Sequence, residues 1–501
     1  MKRKISFLLF FASVYCILAI GFPVYSQNDQ TDSELKPVSG TAVAAGVSVP
    51  VSSLPPAQPE IGKTSRQIER RGVYEIKNKE RIRVEAPDVL HDADSALAQI
   101  LTEQMPFPIL SFDGLNSNDN AAAYGFRAIP PDTNGDVGPN HYVQAVNILL
   151  RVFDKNGTAL TPPFKLSSVF APLNTNCSRR DDGDPIVLYD PLADRWLLSA
   201  FCTLSPPFRQ MIAVSQTNDP TGSYFVYEFI MPNFKFNDYP KFGVWRDGYY
   251  MTTDQFLGSD YSGSGAFAFE RDKMLAGDPS AKFIYFDLAT PSLNRLGGML
   301  PSDLDGLNPP PANAANVFVS FIATEYGEPA DALKLFDFRP NFINSAASTF
   351  RERAESPLAV AAFDPTSPQD RNDIKQPEPG DFLDSQSDRL MYRVAYRNFG
   401  GNESLVFNQT VRVSPALPYR AGVRLYELRR SGANSPFVVN NQMTIANQGI
   451  SSWMGSAAQD FQGNLAVGYS TASEDKKPAI AYSGRLAADP PNTVRGEQTL
   501  V

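Results

Sequence analysis

From about residue 106 onward the chain repeats one pattern: an apolar strand, a polar turn carrying Asp, Asn or Gly, and a second apolar strand. "HYVQAVNILLRVFDKNGTAL" reads as a strand pair around Asn156-Gly157, a favoured hairpin turn. "DPIVLYDPLADRWLLSAF" repeats the plan around "DPLADR", and "KFGVWRDGYYMTTDQF" does so around Asp247-Gly248. "RLMYRVAYRNFGGNESLVFNQTVRV" turns at Gly400-Gly401, and "WMGSAAQDFQGNLAVGYST" at Gln462-Gly463. The strand residues are Val, Tyr, Phe, Leu and Trp, which suit a pleated, half-buried surface. The 41 prolines, 33 glycines and 11% aromatics fit many short strands joined by tight turns. Helical periodicity is nearly absent here; "RDKMLAG" and "STFRERAE" are at most one or two turns.

The units recur every roughly 40 to 60 residues, the spacing of four-stranded propeller blades. That predicts an all-β propeller of about seven blades over 106–501, with six or eight also fitting the spacing. A pair of β-sandwiches is the competing architecture, but it predicts a linker near the middle. The Pro-rich breaks "GLNPPPANAAN" and "IKQPEPGDF" read instead as loops between blades.

The N-terminus places Lys2, Arg3 and Lys4 before an apolar run ending in Val24-Tyr25-Ser26, a secretory signal peptide over 1–26. The mature chain is then exported, with no further stretch able to cross a bilayer. Residues 27–60 mix Pro, Ser, Thr, Ala and Val without periodicity and read as a disordered linker. Residues 61–105 form a charged segment in which "SALAQILTEQM" predicts one short helix. Removal of the leader takes Cys16 with it, and Cys177 and Cys202 in an oxidising compartment predict one disulfide. Closing that loop contributes about 3 kcal/mol in the chain-entropy model. Loss of the three basic leader residues moves the formal charge from −9 to −12. An acidic surface argues against nucleic acid or an anionic membrane as partner.

Seven stretches occur in order: "IPPDTNGDVGPNHYVQ", "GDPIVLYDPLADRWLLSAF", "DYPKFGVWRDGYYMTT", "LPSDLDG", "SDRLMYRVAYRNFG", "ESLVFNQTV" and "WMGSAAQDFQGNLAVGYS". Together they resemble a family of secreted bacterial β-propeller-like proteins, some of them fused to adhesion-type modules. The resemblance runs from about Ser111 to the last residues and implies an exported bacterial propeller without an assigned reaction. Its members continue past the equivalent of "LAADPPNTVRGEQTLV" with a further strand segment, so an incomplete final blade is expected.

Several residues are candidates for chemistry. Asp132, Asn134 and Asp136 have the spacing of the first three ligands of a calcium loop, with Asn140 at the ninth position and Gly138 able to offer a carbonyl. Val143 stands where a bidentate glutamate belongs. The competing reading is a cluster of Asx turns. "RRDDGDP" offers Asp182 and Asp184 as acid–base carboxylates, although Arg179 and Arg180 would hold such groups ionised as a structural network. His141 is the one candidate base for a Ser/His/Asp arrangement, since His91, the second histidine, lies in the charged segment. "AQDFQGNLAVGYS", with Trp453 upstream, resembles the structural Asp-box turn of sialidase-type propellers. No phosphate loop, His-x-x-x-His pair or G-x-S-x-G elbow is present, and no cofactor other than calcium is implied. The sequence thus predicts a monomeric, exported binding module for an extracellular protein or glycan. The alternative is a carbohydrate-active hydrolase or lyase using inner-strand carboxylates.

Overall fold

The computed structural model describes residues 35–58, 96–367, 371–378, 382–415, 417–433 and 435–500. The leader, His91, the start of the linker and most of the charged segment lie outside these. The remainder of the linker, predicted to be disordered, instead carries two strands, β1 (Val38–Thr41) and β2 (Ala44–Val47). The predicted helix in "SALAQILTEQM" is replaced by a strand, β3 (Gln99–Gln104). All three strands lie on the outer edges of sheets built by the rest of the chain, where backbone pairing needs no apolar alternation of their own.

A capped helix, α1 (Ser117–Tyr124), precedes the first sheet; Asn116 and Asp119 close a reciprocal capping box at its start. The chain then runs through six antiparallel meanders. The first holds β4 to β7 (Asn134–Val137, His141–Val146, Leu149–Asp154, Phe164–Lys165). The second holds β8 to β11 (Ile186–Asp190, Arg195–Cys202, Arg209–Ser215, Tyr224–Ile230). The third holds β12 to β15 (Phe236–Val244, Tyr249–Leu257, Asp260–Phe269, Lys282–Asp287). The fourth holds β16 to β19 (Leu300–Leu304, Asn316–Ile322, Ala332–Arg339, Thr349–Glu352), with a short β20 (Leu358–Ala359) beside β18. The fifth holds β21 to β24 (Leu390–Asn398, Asn402–Arg412, Ala421–Ser431, Val438–Ile445). The sixth holds β25 to β28 (Ser451–Gln459, Leu465–Ala472, Ala479–Arg485, Thr493–Thr499).

The first strands of consecutive meanders, β4, β8, β12, β16, β21 and β25, pack side by side in that order. The second, third and fifth meanders contribute residues to a core on each face, the strands of the sixth alternate buried with exposed residues, and strand alternation decides which residue goes which way. In β8, Val187 joins the core shared with the first meander, while Ile186 and Leu188 join the core shared with the third. A larger aromatic core fills the space among the third, fourth and fifth meanders, and a further one lies between the fifth and sixth. The free face of the first meander is covered by Leu115, just before α1, and by Ala123 and Tyr124 of α1. This is an all-β, propeller-like architecture. Among the described residues no helix is long and apolar enough to cross a membrane.

Most predicted turns stand where the sequence put them, including Gly248, whose carbonyl accepts the Trp245 N–H at 3.0 Å. Two expectations change. "HYVQAVNILLRVFD" is two strands that turn at Asn147-Ile148, and the Asn156-Gly157 turn follows β6. "STFRERAE" forms β19, because Phe350 is needed in the aromatic core. The expected incomplete final blade is also not what is seen. The sixth meander has four strands, and β3 adds a fifth along β28.

Candidate functional site

Five of the seven stretches that carry the family resemblance deliver polar side chains to one place, the entry ends of the inner strands. Asp132 and Asp136 come from the approach to β4 and from β4 itself, and Asp184 from the turn into β8. Tyr239 and Lys241 sit in β12, Asp303 in β16, Arg389 just before β21 and Arg393 within it. The backbone is bent to present them. Asp132, Asp184 and Tyr239 have φ of 38°, 50° and 52°, left-handed values that residues with a Cβ adopt at a cost and that gather at functional sites. β12 also slips register between Asp238 and Lys241, a bulge that turns Tyr239 and Lys241 inward.

The carboxyls of Asp132 and Asp184 lie within hydrogen-bonding reach of each other. Burial pushes Asp132 well above the usual carboxylate range, and the charge of Asp184 pushes it further. Burial raises Asp184 as well, against the attraction of Lys241. Two such carboxyls are stable together when they share a proton. Asn147 donates from Nδ2 to Asp132 Oδ2 at 2.8 Å and to the Pro130 carbonyl at 3.1 Å. Its own Oδ1 is buried without a hydrogen-bond partner. Gly183, at φ 124°, leaves room there, since a Cβ would stand 3.2 Å from that oxygen.

Lys241 is half-buried on the other side of the pair. Its Nζ lies 3.8 Å from the centroid of the Tyr239 ring and 5.9 Å from that of Tyr392. Among the described residues it has no carboxylate within ion-pair distance. Burial lowers its pKa, opposed by Asp184 and Asp132. Arg389 covers the Tyr239 ring at 4.7 Å and is itself held by Asp388 through paired bonds of 2.8 and 2.9 Å. It can approach because Gly298 lies beneath, where a Cβ would come 2.4 Å from Arg389 Cβ.

A second cluster ties the inner strands together. Arg393 bonds Asp303 and, at 2.6 Å, Asp305, and lies 3.9 Å from Asp136. Burial drives Asp303 up to about 7 against the pull of Arg393. Burial also raises Asp136, although Arg393 and the N–H groups of Tyr189 and Val137 oppose it.

Asp132, Asn134, Asp136 and Asn140, the residues with calcium-loop spacing, take separate places in the structure. Alternate spacing is also the period of a strand, and β4 points Asn134 and Asp136 at β8. Asn134 Oδ1 accepts the Val187 N–H at 2.7 Å and Asp136 Oδ2 the Tyr189 N–H at 2.8 Å, a clamp between two meanders. Asn140 is exposed, and Asp132 belongs to the acid pair. Among the described residues no group of three or more His, Cys, Asp or Glu is disposed to hold a metal ion. His141 opens β5 opposite Asp154, at a strand end.

Asp182 and Asp184 separate. Burial would raise Asp182, but paired bonds of 2.8 Å from Arg180 and the Thr203 N–H outweigh it and hold the carboxyl low. Asp184 escapes both arginines and faces Asp132 and Lys241, so the expectation that a neighbouring arginine holds these carboxyls ionised fits Asp182 and not Asp184. Cys177 and Cys202 form the predicted disulfide, with Cα atoms 5.6 Å apart. Asp460 caps its hairpin turn as expected, accepting the Gln462 and Asn464 N–H groups at 2.9 Å each. The residues missed by the sequence reading are Lys241, Tyr239, Arg389, Arg393 and Asn147. All except Asn147 lie inside the seven stretches quoted from the sequence, and that shared membership is the signal that could have found them.

No family model matches the chain, and no curated protein matches it. Solved structures with likeness include the Penicillium chrysogenum α-L-arabinanase complexed with arabinobiose, at 9% identity and a TM-score of 0.34, over 77% of this chain and 98% of that one. The α-L-arabinofuranosidase from Lactobacillus brevis gives 8% and 0.30, over 73% and 93%. The N-terminal domain of Nup159 gives 9% and 0.28, over 81% and 83%. Likeness of this degree carries no argument about a site. The class is defined by the meanders and their axis: an all-β, propeller-like protein with a polar, strained cluster where its inner strands begin.

Proposed function

We propose that the protein is an exported binding module that takes a glycan at the entry ends of its inner strands. One observation carries the reading. Around the Asp132–Asp184 pair stand an acceptor without a donor, Asn147 Oδ1, and an ammonium without a hydrogen-bonding acceptor, Lys241 Nζ. A metal ion would meet Lys241, and an anion would meet the carboxyls. A hydroxyl group donates and accepts at once, and a run of them on a sugar suits both partners. The Tyr239 ring adds an apolar surface of the kind sugar rings pack on, although Lys241 and Arg389 also approach it. Export is supported by the basic and apolar leader and by the disulfide.

The second reading is hydrolysis of the bound glycan. It is favoured by two carboxyls whose pKa values burial raises, the direction a general acid needs. The spacing ranks it second. Glycosidases separate their carboxyls by about 5–5.5 Å or about 6.5–9.5 Å, wider than two carboxyls within hydrogen-bonding reach of each other. Calorimetric titration with neutral, acidic and amino oligosaccharides tests the first reading. A neutral oligosaccharide should bind, and Asp184→Asn should weaken it about tenfold, as for loss of one charged hydrogen bond. Absence of binding across all three classes overturns it. Release of reducing ends between pH 4 and 8 would promote the second reading.

A further inference from the structure

We propose that Lys241 is a reactive amine that condenses with an aldehyde or ketone brought to the axial site, the Asp132–Asp184 pair serving as its proton donor and acceptor. The inference rests on the same site as the glycan reading but asks for something that reading does not need, a covalent step.

The geometry is that of a lysine kept from its usual partners. Surface lysines point an ammonium into water or onto a carboxylate. Lys241 instead lies over Tyr239 and beside Tyr392, half-buried, in a strand whose bulge fixes its direction. Three carboxyls, those of Asp184, Asp132 and Asp238, act on it through space without gripping it. A desolvated amine of this kind loses its proton more readily, and the neutral amine is the nucleophile. The charge left on the amine is shared with a carboxyl pair that can hold one proton or two.

The chemistry balances within these groups. The amine nitrogen bonds to the carbonyl carbon, and the carbonyl oxygen takes a proton from the acid pair. The nitrogen returns a proton to the pair, giving the neutral carbinolamine. The hydroxyl then leaves as water with a second proton from the pair as the C=N bond forms. One amine hydrogen and one net proton from the pair depart with the carbonyl oxygen as water, the iminium keeps the other amine hydrogen, and nothing is oxidised or reduced. An iminium so formed would sit against the carboxyls that neutralise it. Open-chain reducing sugars and other small aldehydes are the class of ligand that fits.

The test uses the folded protein, D-glyceraldehyde as probe and sodium cyanoborohydride to trap the imine, with labelled lysines read by peptide mass spectrometry. Lys241 should label at least tenfold faster than Lys477, which is exposed and serves as internal reference. The preference should vanish in denaturant, and it should fall in Asp132→Asn while that variant's melting curve stays cooperative. Equal rates for Lys241 and Lys477 in the folded protein overturn the proposal. Methyl glycosides, which cannot open to an aldehyde, separate the two readings. If they bind and Lys241 does not label, the covalent step falls and the glycan site stands. Labelling without their binding leaves the reactive amine and removes the glycan reading.

Discussion

The carboxyls of Asp132 and Asp184, one before the first strand of the first meander and one before the first strand of the second, meet within hydrogen-bonding reach. Both residues adopt left-handed backbone to do so. Asp184 is one residue past a glycine and two past Asp182, whose carboxyl is turned away onto Arg180. The chain therefore spends backbone strain on a contact that two ionised groups would oppose.

That contact predicts how stability depends on pH. Both carboxyls have folded pKa values above the ordinary value of 3.8, so folding favours their protonated forms. Their contribution is complete below that value and is lost as pH rises through the folded values. Asp132→Asn keeps the shape and a hydrogen bond but removes the titration. Its melting temperature should fall less than that of the native protein between pH 4 and 8, and the two curves should converge at the acid end. Parallel curves would mean that the pair does not share a proton.

Arg393 is the countercharge for Asp303 and Asp305 at the axis, joining β21 to β16, with Asp136 of β4 close by. Arg393→Met removes the cation and leaves the carboxyls. Breaking a buried pair in this way costs about 3–5 kcal/mol, because an uncompensated charge stays behind. Asp303→Asn should cost less at neutral pH, since burial already raises Asp303 to about 7. Urea unfolding of the two variants measures both, and equal losses would contradict the assignment.

The disulfide joins the segment before β8 to the end of β9, and both cysteines are buried. Cys177→Ser with Cys202→Ser should lower stability by about 3 kcal/mol through the freed loop. The axial residues on that loop should also loosen. Glycan affinity should therefore fall together with the urea midpoint, although neither cysteine touches the site.

The parts of this structure legible in the sequence are those set by short-range rules. Strand-forming residues and turn residues placed β8, β9, β12, β13, β21, β22, β25 and β26 because each strand buries at least one face and each turn needs Asp, Asn or Gly. At Asp132, Asn134 and Asp136 the alternate spacing fits two readings, because a strand face and a ligand ladder share it. Asp184 was legible as a carboxylate but not as one whose pKa burial raises. Its arginine neighbours in sequence suggested ionisation, whereas the burial that raises its pKa comes only from the stacking of meanders, and the hydrogen bond with Asp132 works the other way. β1 and β2 were invisible for a different reason. "VSGT" and "AAGV" dock by backbone bonds onto sheets made elsewhere, so their side chains carry no periodic signal.

Those N-terminal strands lead to the last prediction. β1 pairs with the outer strand β15 of the third meander, and β2 with the outer strand β11 of the second. Ala96 and Ala98 bond Thr444 on the outer strand of the fifth, and β3 pairs with β28 of the sixth. One segment thus covers the free edges of four meanders, and an uncovered edge is a template for pairing with another chain. A version of the protein beginning at Pro106, the boundary read from the sequence, should therefore associate or precipitate at concentrations where the longer chain does not. Size-exclusion chromatography with light scattering measures this. A monodisperse monomer from Pro106 onward would show that the edges need no cover, and that the segment merely follows the sheets it touches.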